Sequence, residues 1–217
     1  MRALFGSAIV LVLVAVPLDA QICNGLGPFG SRFRAIGDAS FSDGAQAFMA
    51  GAGLSTQAGF FGDIGAGAIT YDDFDGSSTV LSVDAGWRLP LGAAGTAEMC
   101  PMVTGLLAFG PNDIEGSGAD FSSRDYSVGA SLGTLVSASP TLQIVPAAGL
   151  AFAYSWFEFD GGPLPLDESE TYGLASLGIG FVVNRIFAIR PHVTIPFGYD
   201  DAEEVYGVGL ALQFGAR

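Results

Sequence analysis

Tyr206-Gly207-Val208-Gly209-Leu210-Ala211-Leu212-Gln213-Phe214 is the stretch whose reading decides the fold. Tyr206, Val208, Leu210, Leu212 and Phe214 fall on one face; Gly207, Gly209, Ala211 and Gln213 fall on the other. A period of two is the signature of a β-strand, because successive side chains point to opposite faces. The face that should meet water in a soluble barrel carries Gly and Ala instead of Lys, Glu or Thr. That face suits a narrow packed lumen. An apolar outside, a small inside and a terminal aromatic describe a strand that crosses a membrane.

Composition points the same way. Half of the 217 residues are apolar and 14% are charged, against about 25% charged in an ordinary soluble domain. Beyond residue 18 no run approaches the roughly 20 apolar residues of a membrane helix. Hydrophobicity spread thinly over many short segments is what a β-barrel gives. All eight basic residues are Arg, and the formal net charge is −14, a balance that argues against nucleic acid as a partner.

Met1-Arg2, the apolar run 3–16 and Pro17-Leu18-Asp19-Ala20 read as a secretory signal peptide, residues 1–20, cut before Gln21. Cys23 as a lipidated residue is disfavoured by Ile22, where a small residue is needed. Residues 21–32 are a Gly- and Pro-rich lead-in, and 33–217 are the barrel.

Ten strands are expected, at 33–42, 45–54, 59–71, 79–91, 99–109, 125–136, 142–159, 171–183, 187–197 and 205–214. Eight is the alternative, if the first two do not cross. The first three are rich in Gly and Ala, so their facing is open. Elsewhere alternation fixes it: Leu81, Val83, Ala85 and Trp87 outward against Ser82, Asp84, Gly86 and Arg88; Ile189, Val193 and Ile195 outward against Arg190, His192 and Thr194. Short turns alternate with longer acidic loops, so the turns and both termini are expected in the periplasm and the loops outside the cell. Aromatics gather at two levels. Tyr71, Phe109, Tyr126, Tyr154, Trp156, Tyr172, Phe197 and Tyr206 lie near the loops; Phe60, Trp87, Phe181, Phe187 and Phe214 lie near the turns. Two interfacial girdles are the expectation.

The last strand resembles the C-terminal signature of bacterial outer-membrane β-barrels, which ends in Phe and is read by the barrel-insertion machinery; here Gly215-Ala216-Arg217 follow it. The mature chain as a whole resembles, in architecture, small barrels of the outer-membrane protein A, outer-membrane protein W and opacity types. The resemblance implies a single antiparallel up-and-down transmembrane barrel, all-β, embedded among outer-membrane lipid and lipopolysaccharide. Structural, adhesive or small-solute roles go with it.

Candidate functional residues fall in three groups. Cys23 lies just inside the mature chain and Cys100 just past a turn, so both belong to the periplasmic end, where disulfides persist; a Cys23–Cys100 bond should pin the lead-in against the barrel floor. Arg34, Asp38, Asp63, Asp84, Arg88, Arg190 and His192 face inward, three Asp against three Arg, as an ion-pair network or a thin wet path would require. Asp72, Asp73 and Asp75 are candidates for cation binding, Asp73-Phe74-Asp75-Gly76 beginning like a calcium loop but lacking its distal Glu, and the acidic loops together could attract divalent cations. No cofactor is implied.

An enzyme is disfavoured. Omptin-type surface proteases need an Asp–His pair at the outer rim, and the sole histidine, His192, lies in the turn-side half of its strand. Lipid A deacylases need His, Ser and a carboxylate on the lipid-facing wall, whereas His192-Val193-Thr194 offers Thr and faces inward. The reading is a non-enzymatic outer-membrane barrel that is structural or interacts through its loops; a narrow channel for small solutes is the alternative.

Overall fold

The structure is a computed structural model that describes residues 22–26, 33–56, 58–72, 74–91, 96–110, 120–160, 166–198 and 203–214. The expected signal peptide (1–20), Asp73 and residues 215–217 lie outside the described residues. Ten strands form one sheet: β1 (Phe33–Ser42), β2 (Ala45–Ser55), β3 (Phe60–Tyr71), β4 (Phe74–Trp87, resuming as Leu89–Leu91), β5 (Ala97–Phe109), β6 (Asp120–Thr134, resuming as Val136–Ser137), β7 (Leu142–Asp160), β8 (Leu166–Val183), β9 (Phe187–Phe197) and β10 (Val205–Phe214). Each pairs antiparallel with its sequence neighbour, and β10 pairs with β1 from Phe33↔Phe214 to Phe41↔Tyr206. The sheet therefore closes on itself. Closure leaves no unpaired strand edge, which is the condition for strands to cross hydrocarbon.

The facing of the side chains is that of a membrane barrel. Along β10 burial alternates strictly: Val205, Gly207, Gly209, Ala211 and Gln213 are buried, while Tyr206, Val208, Leu210, Leu212 and Phe214 are exposed. Phe152 is 69% exposed and Ile64 66%, a surface water would not tolerate and lipid would. Alternation also resolves the first three strands. Phe33, Phe41, Phe48, Leu54, Phe60 and Ile64 point outward, while Ile36, Met49, Phe61 and Ile69 point inward. Two tight connections show the local chemistry. Asp43-Gly44 turns β1 into β2 with Gly44 at φ +91°. Asn184 and Arg185 both take positive φ between Val183 and Ile186, whose N–H donates to Val183 O; two left-handed residues in a row match the twist of a hairpin.

The loop-side ends depart from expectation. β7 has 19 residues and β8 has 18, about twice the 9–11 needed to cross the bilayer. Much of the fourth acidic loop, including Glu168 and Glu170, is strand. β4 and β6 also begin earlier than their alternation suggested. Past the lipid both faces can be polar, so alternation loses its contrast where pairing continues. Tyr71 and Tyr172, assigned to the outer girdle, face the lumen: Tyr71 hydroxyl donates to Ser78 Oγ, 3.5 Å, and Tyr172 is buried. Their parity within β3 and β8 is opposite to that of Ile64 and Leu177.

The outward face supplies a test. Leu210→Arg, in mid-strand, should destabilise the folded barrel by about 2–4 kcal/mol, and the same change at Tyr206, near the loop end, by about 0–1 kcal/mol. Urea unfolding in lipid vesicles, read by the gel shift between folded and unfolded forms, gives both values.

Candidate functional site: the plugged lumen

Residues 22–26 occupy the turn-side end of the lumen. Ile22–Asn24 forms a 3-10 turn whose Ile22 carbonyl accepts from Gly25 N–H, with Gly25 at φ +78°. This segment lies inside the turn-side end of the barrel, against β5, β6 and β7. Four kinds of contact hold it. Cys23 is bonded to Cys100, with Cα atoms 5.9 Å apart and a sequence separation of 77. Asn24 carbonyl accepts from Arg190 Nη1, 2.6 Å, and its side-chain oxygen accepts from Ser131 Oγ, 2.5 Å. Ile22 and Leu26, both buried, join the lumenal cluster of Val145, Val182, Ala188 and Ala211. Finally, Gly133 and Gly180 let the segment's backbone lie flush on the wall. A Cβ at either would overlap a plug carbonyl, Ile22 O or Gly25 O. Residues 22–26 are thus an internal plug, deeper than the floor contact that sequence suggests.

The inward charges cluster in the same half. Arg34, Asp38, Asp63, Asp84, Arg190 and His192 are buried, and Arg88 is partly buried. Arg34 pairs with Asp63 over Gly53, where a Cβ would overlap both side chains. Asp84 lies beside Asp63 as its β3–β4 partner. His192 Nε2 and Asp38 Oδ2 are 2.9 Å apart, which fixes the imidazole in the lumen. Arg88 Nη1 sits 3.9 Å from Glu98 Oε1 and donates through Nη2 to Thr56 O, 3.2 Å. Burying such charges is costly unless each is paired or hydrogen-bonded; Arg34–Asp63 and Arg88–Glu98 join opposite charges, and Asp38 meets the His192 imidazole.

Above the plug the lumen holds a cavity of about 90 Å³ lined by Asn24, Thr104, Asp125, Ser176, His192 and Thr194, among others. Asp125 accepts from Ser155 Oγ, 2.7 Å. The plug, through Cys23 and Asn24, forms its floor.

Sequence reading did not include Glu98, Asp125 or Asn24 in the lumen. Glu98 precedes Cys100 by two and Asp125 precedes Ser127 by two, so parity could have found both; Glu98 falls one residue before the expected start of its strand at 99, while Asp125 opens its expected strand with no facing assigned to it. Nothing in the lead-in marks Asn24. With Glu98 and Asp125 included, the balance expected between acids and bases gives way to an acidic excess among the described residues. Asp72 is exposed at the end of β3 and Asp75 lies within β4. Among the described residues, Cys23, Glu98 and Cys100 form a group of metal-capable side chains, and its two sulfurs are spent in the disulfide.

No family model matches this sequence. No curated protein matches it either. Solved structures do. The β domain of the Bordetella autotransporter BrkA superposes with a TM-score of 0.51 at 10% identity, covering 84% of this chain and 98% of that one. The N-terminal β-barrel domain of Pseudomonas aeruginosa OprF gives 0.40 at 11%, covering 84% and 96%. Neisserial surface protein A gives 0.40 at 15%, covering 85% and 98%. At such identities the likeness is one of fold: this chain has the closed, ten-stranded fold of bacterial outer-membrane β-barrels.

Proposed function

We propose that the chain is an integral outer-membrane barrel with a closed lumen and no catalytic role, acting as a structural element and through its acidic loop-side ends. Both termini face the periplasm in this reading, and β10, ending in Phe214, is the strand presented to the insertion machinery. The observation that carries it is the plug: a segment held by a disulfide, by hydrogen bonds from Arg190 and Ser131 and by apolar burial is built to stay. The one histidine is tied to Asp38 inside the wall, far from any surface a macromolecular substrate could reach. Lipid surrounds the outward face, and divalent cations are the natural counter-ions of the loop ends.

A narrow channel is the second reading, favoured by the cavity above the plug. Planar-bilayer recording under non-reducing conditions separates the two. The closed reading expects a silent bilayer at all moderate voltages; discrete conductance steps from the wild-type protein would replace it with the channel.

A further inference from the structure

The outward wall of β6 and β7 carries a feature that neither sealing nor burial explains. Arg124 points away from the lumen near the loop-side end of β6, and its guanidinium lies 4.8 Å from the centre of the Trp156 ring on β7. The two are direct partners in the β6–β7 register. Two residues nearer the membrane centre, Tyr126 and Tyr154 are partners on the same face, and below them Val128 and Phe152. All four are exposed. The ladder therefore runs from a cation on an aromatic plate, through a pair of phenols, into hydrocarbon-loving side chains.

An arginine on the lipid face is costly at mid-bilayer and nearly free at the interface, and Arg124 sits at the level of the aromatic girdle. Among the described residues no carboxylate lies within ion-pair distance of it; the ion pairs there use Arg34, Arg88 and His192. The loop-side ends above are acidic, so a soluble anion approaching from outside is repelled before it arrives. An anion already in the membrane interface is not. A planar guanidinium held over a ring still presents N–H edges for bidentate contact with phosphate.

We infer that Arg124 and Trp156 form a headgroup site for a phosphate-bearing lipid of the surrounding leaflet, with one acyl chain lying along Tyr126–Tyr154 and Val128–Phe152. This inference rests on the membrane-barrel reading and adds a specific lipid contact to it. The site belongs to a lipid and not to free phosphate because the guanidinium is continuous with an exposed apolar track.

Delipidated protein in detergent, titrated with lipid A and followed by native mass spectrometry, tests it. Wild type should hold one lipid A more tightly than the dephosphorylated lipid. Arg124→Gln should weaken lipid A binding by about tenfold, a loss of one charge-assisted contact. Arg124→Lys, which keeps charge but loses the planar fork, should fall between them. Arg185→Gln, at an exposed turn on the opposite side, should match wild type. Equal binding of lipid A by wild type and Arg124→Gln overturns the inference, as does displacement of the lipid by inorganic phosphate alone. Every variant is first checked for heat-modifiable migration. An Arg124→Gln variant that migrates as a folded barrel yet binds unchanged sinks the headgroup site and leaves the barrel reading standing, whereas loss of heat-modifiability in wild type sinks the barrel reading itself.

Discussion

Arg34→Met should destabilise the folded barrel by about 3–5 kcal/mol, while Arg34→Met combined with Asp63→Leu should recover most of that loss. The pair is buried on both sides, with side-chain exposures of 4% and 1%. Removing the guanidinium alone strands the Asp63 carboxylate next to Asp84, its partner across β3 and β4. Two carboxylates would then share a wall with no cation at Gly53, where the guanidinium now lies. Removing both partners restores an apolar contact of similar volume. Urea unfolding of the two variants and of Asp63→Leu alone completes a double-mutant cycle. A single Arg34→Met variant within about 0.5 kcal/mol of wild type would show that the pair lies in hydrated surroundings and not in a packed lumen.

Cys23→Ser should be costly in a different way. The bond closes a loop of 77 residues, for which the chain-entropy description gives about 4.5 kcal/mol of stabilisation. The loss comes largely through the unfolded chain, so thermal unfolding should shift downward while the strands of the native barrel stay paired. The plug would keep its hydrogen bonds to Arg190 and Ser131 but lose its covalent tether. Exchange of the segment out of the lumen should then produce brief conductance steps that wild type lacks. Asp38, Asp63, Asp84, Glu98 and Asp125 face Arg34, Arg88 and Arg190 along that path, so the steps should prefer cations. An unchanged melting temperature in Cys23→Ser would mean that the bond adds nothing to the fold.

The sequence speaks most clearly where the wall has lipid on one side and a crowded lumen on the other. In β9 and β10 the outward positions are apolar and, Val205 apart, the inward ones are small, polar or charged, so period, facing and the lumenal places of Arg190 and His192 could all be read. Asp43-Gly44 announced its turn for the usual steric reason. Legibility falls where one of the two contrasts is missing. In β1 to β3 Gly and Ala occupy both faces, and only the paired structure separates Ile36 from Ala35. In the long β7–β8 hairpin, pairing continues into water, where Glu168 and Ser169 look like loop. Tyr71 and Tyr172 were assigned by their distance from the loops, although parity along the strand decides facing. The plug is the hardest case. A disulfide partner could be inferred from compartment and chain position, but insertion depends on Gly133 and Gly180, more than a hundred residues away, leaving room for a backbone.

Everything here depends on a sheet closed by β1 against β10 with its apolar side chains turned to lipid. Migration of the membrane-fraction protein in a denaturing gel, with and without boiling, tests that most directly. The account predicts two bands, an unboiled form that runs apart from the boiled one and converts to it on heating. A single band at the position of the unfolded chain in both lanes, or recovery of the protein from membranes without detergent, would contradict it.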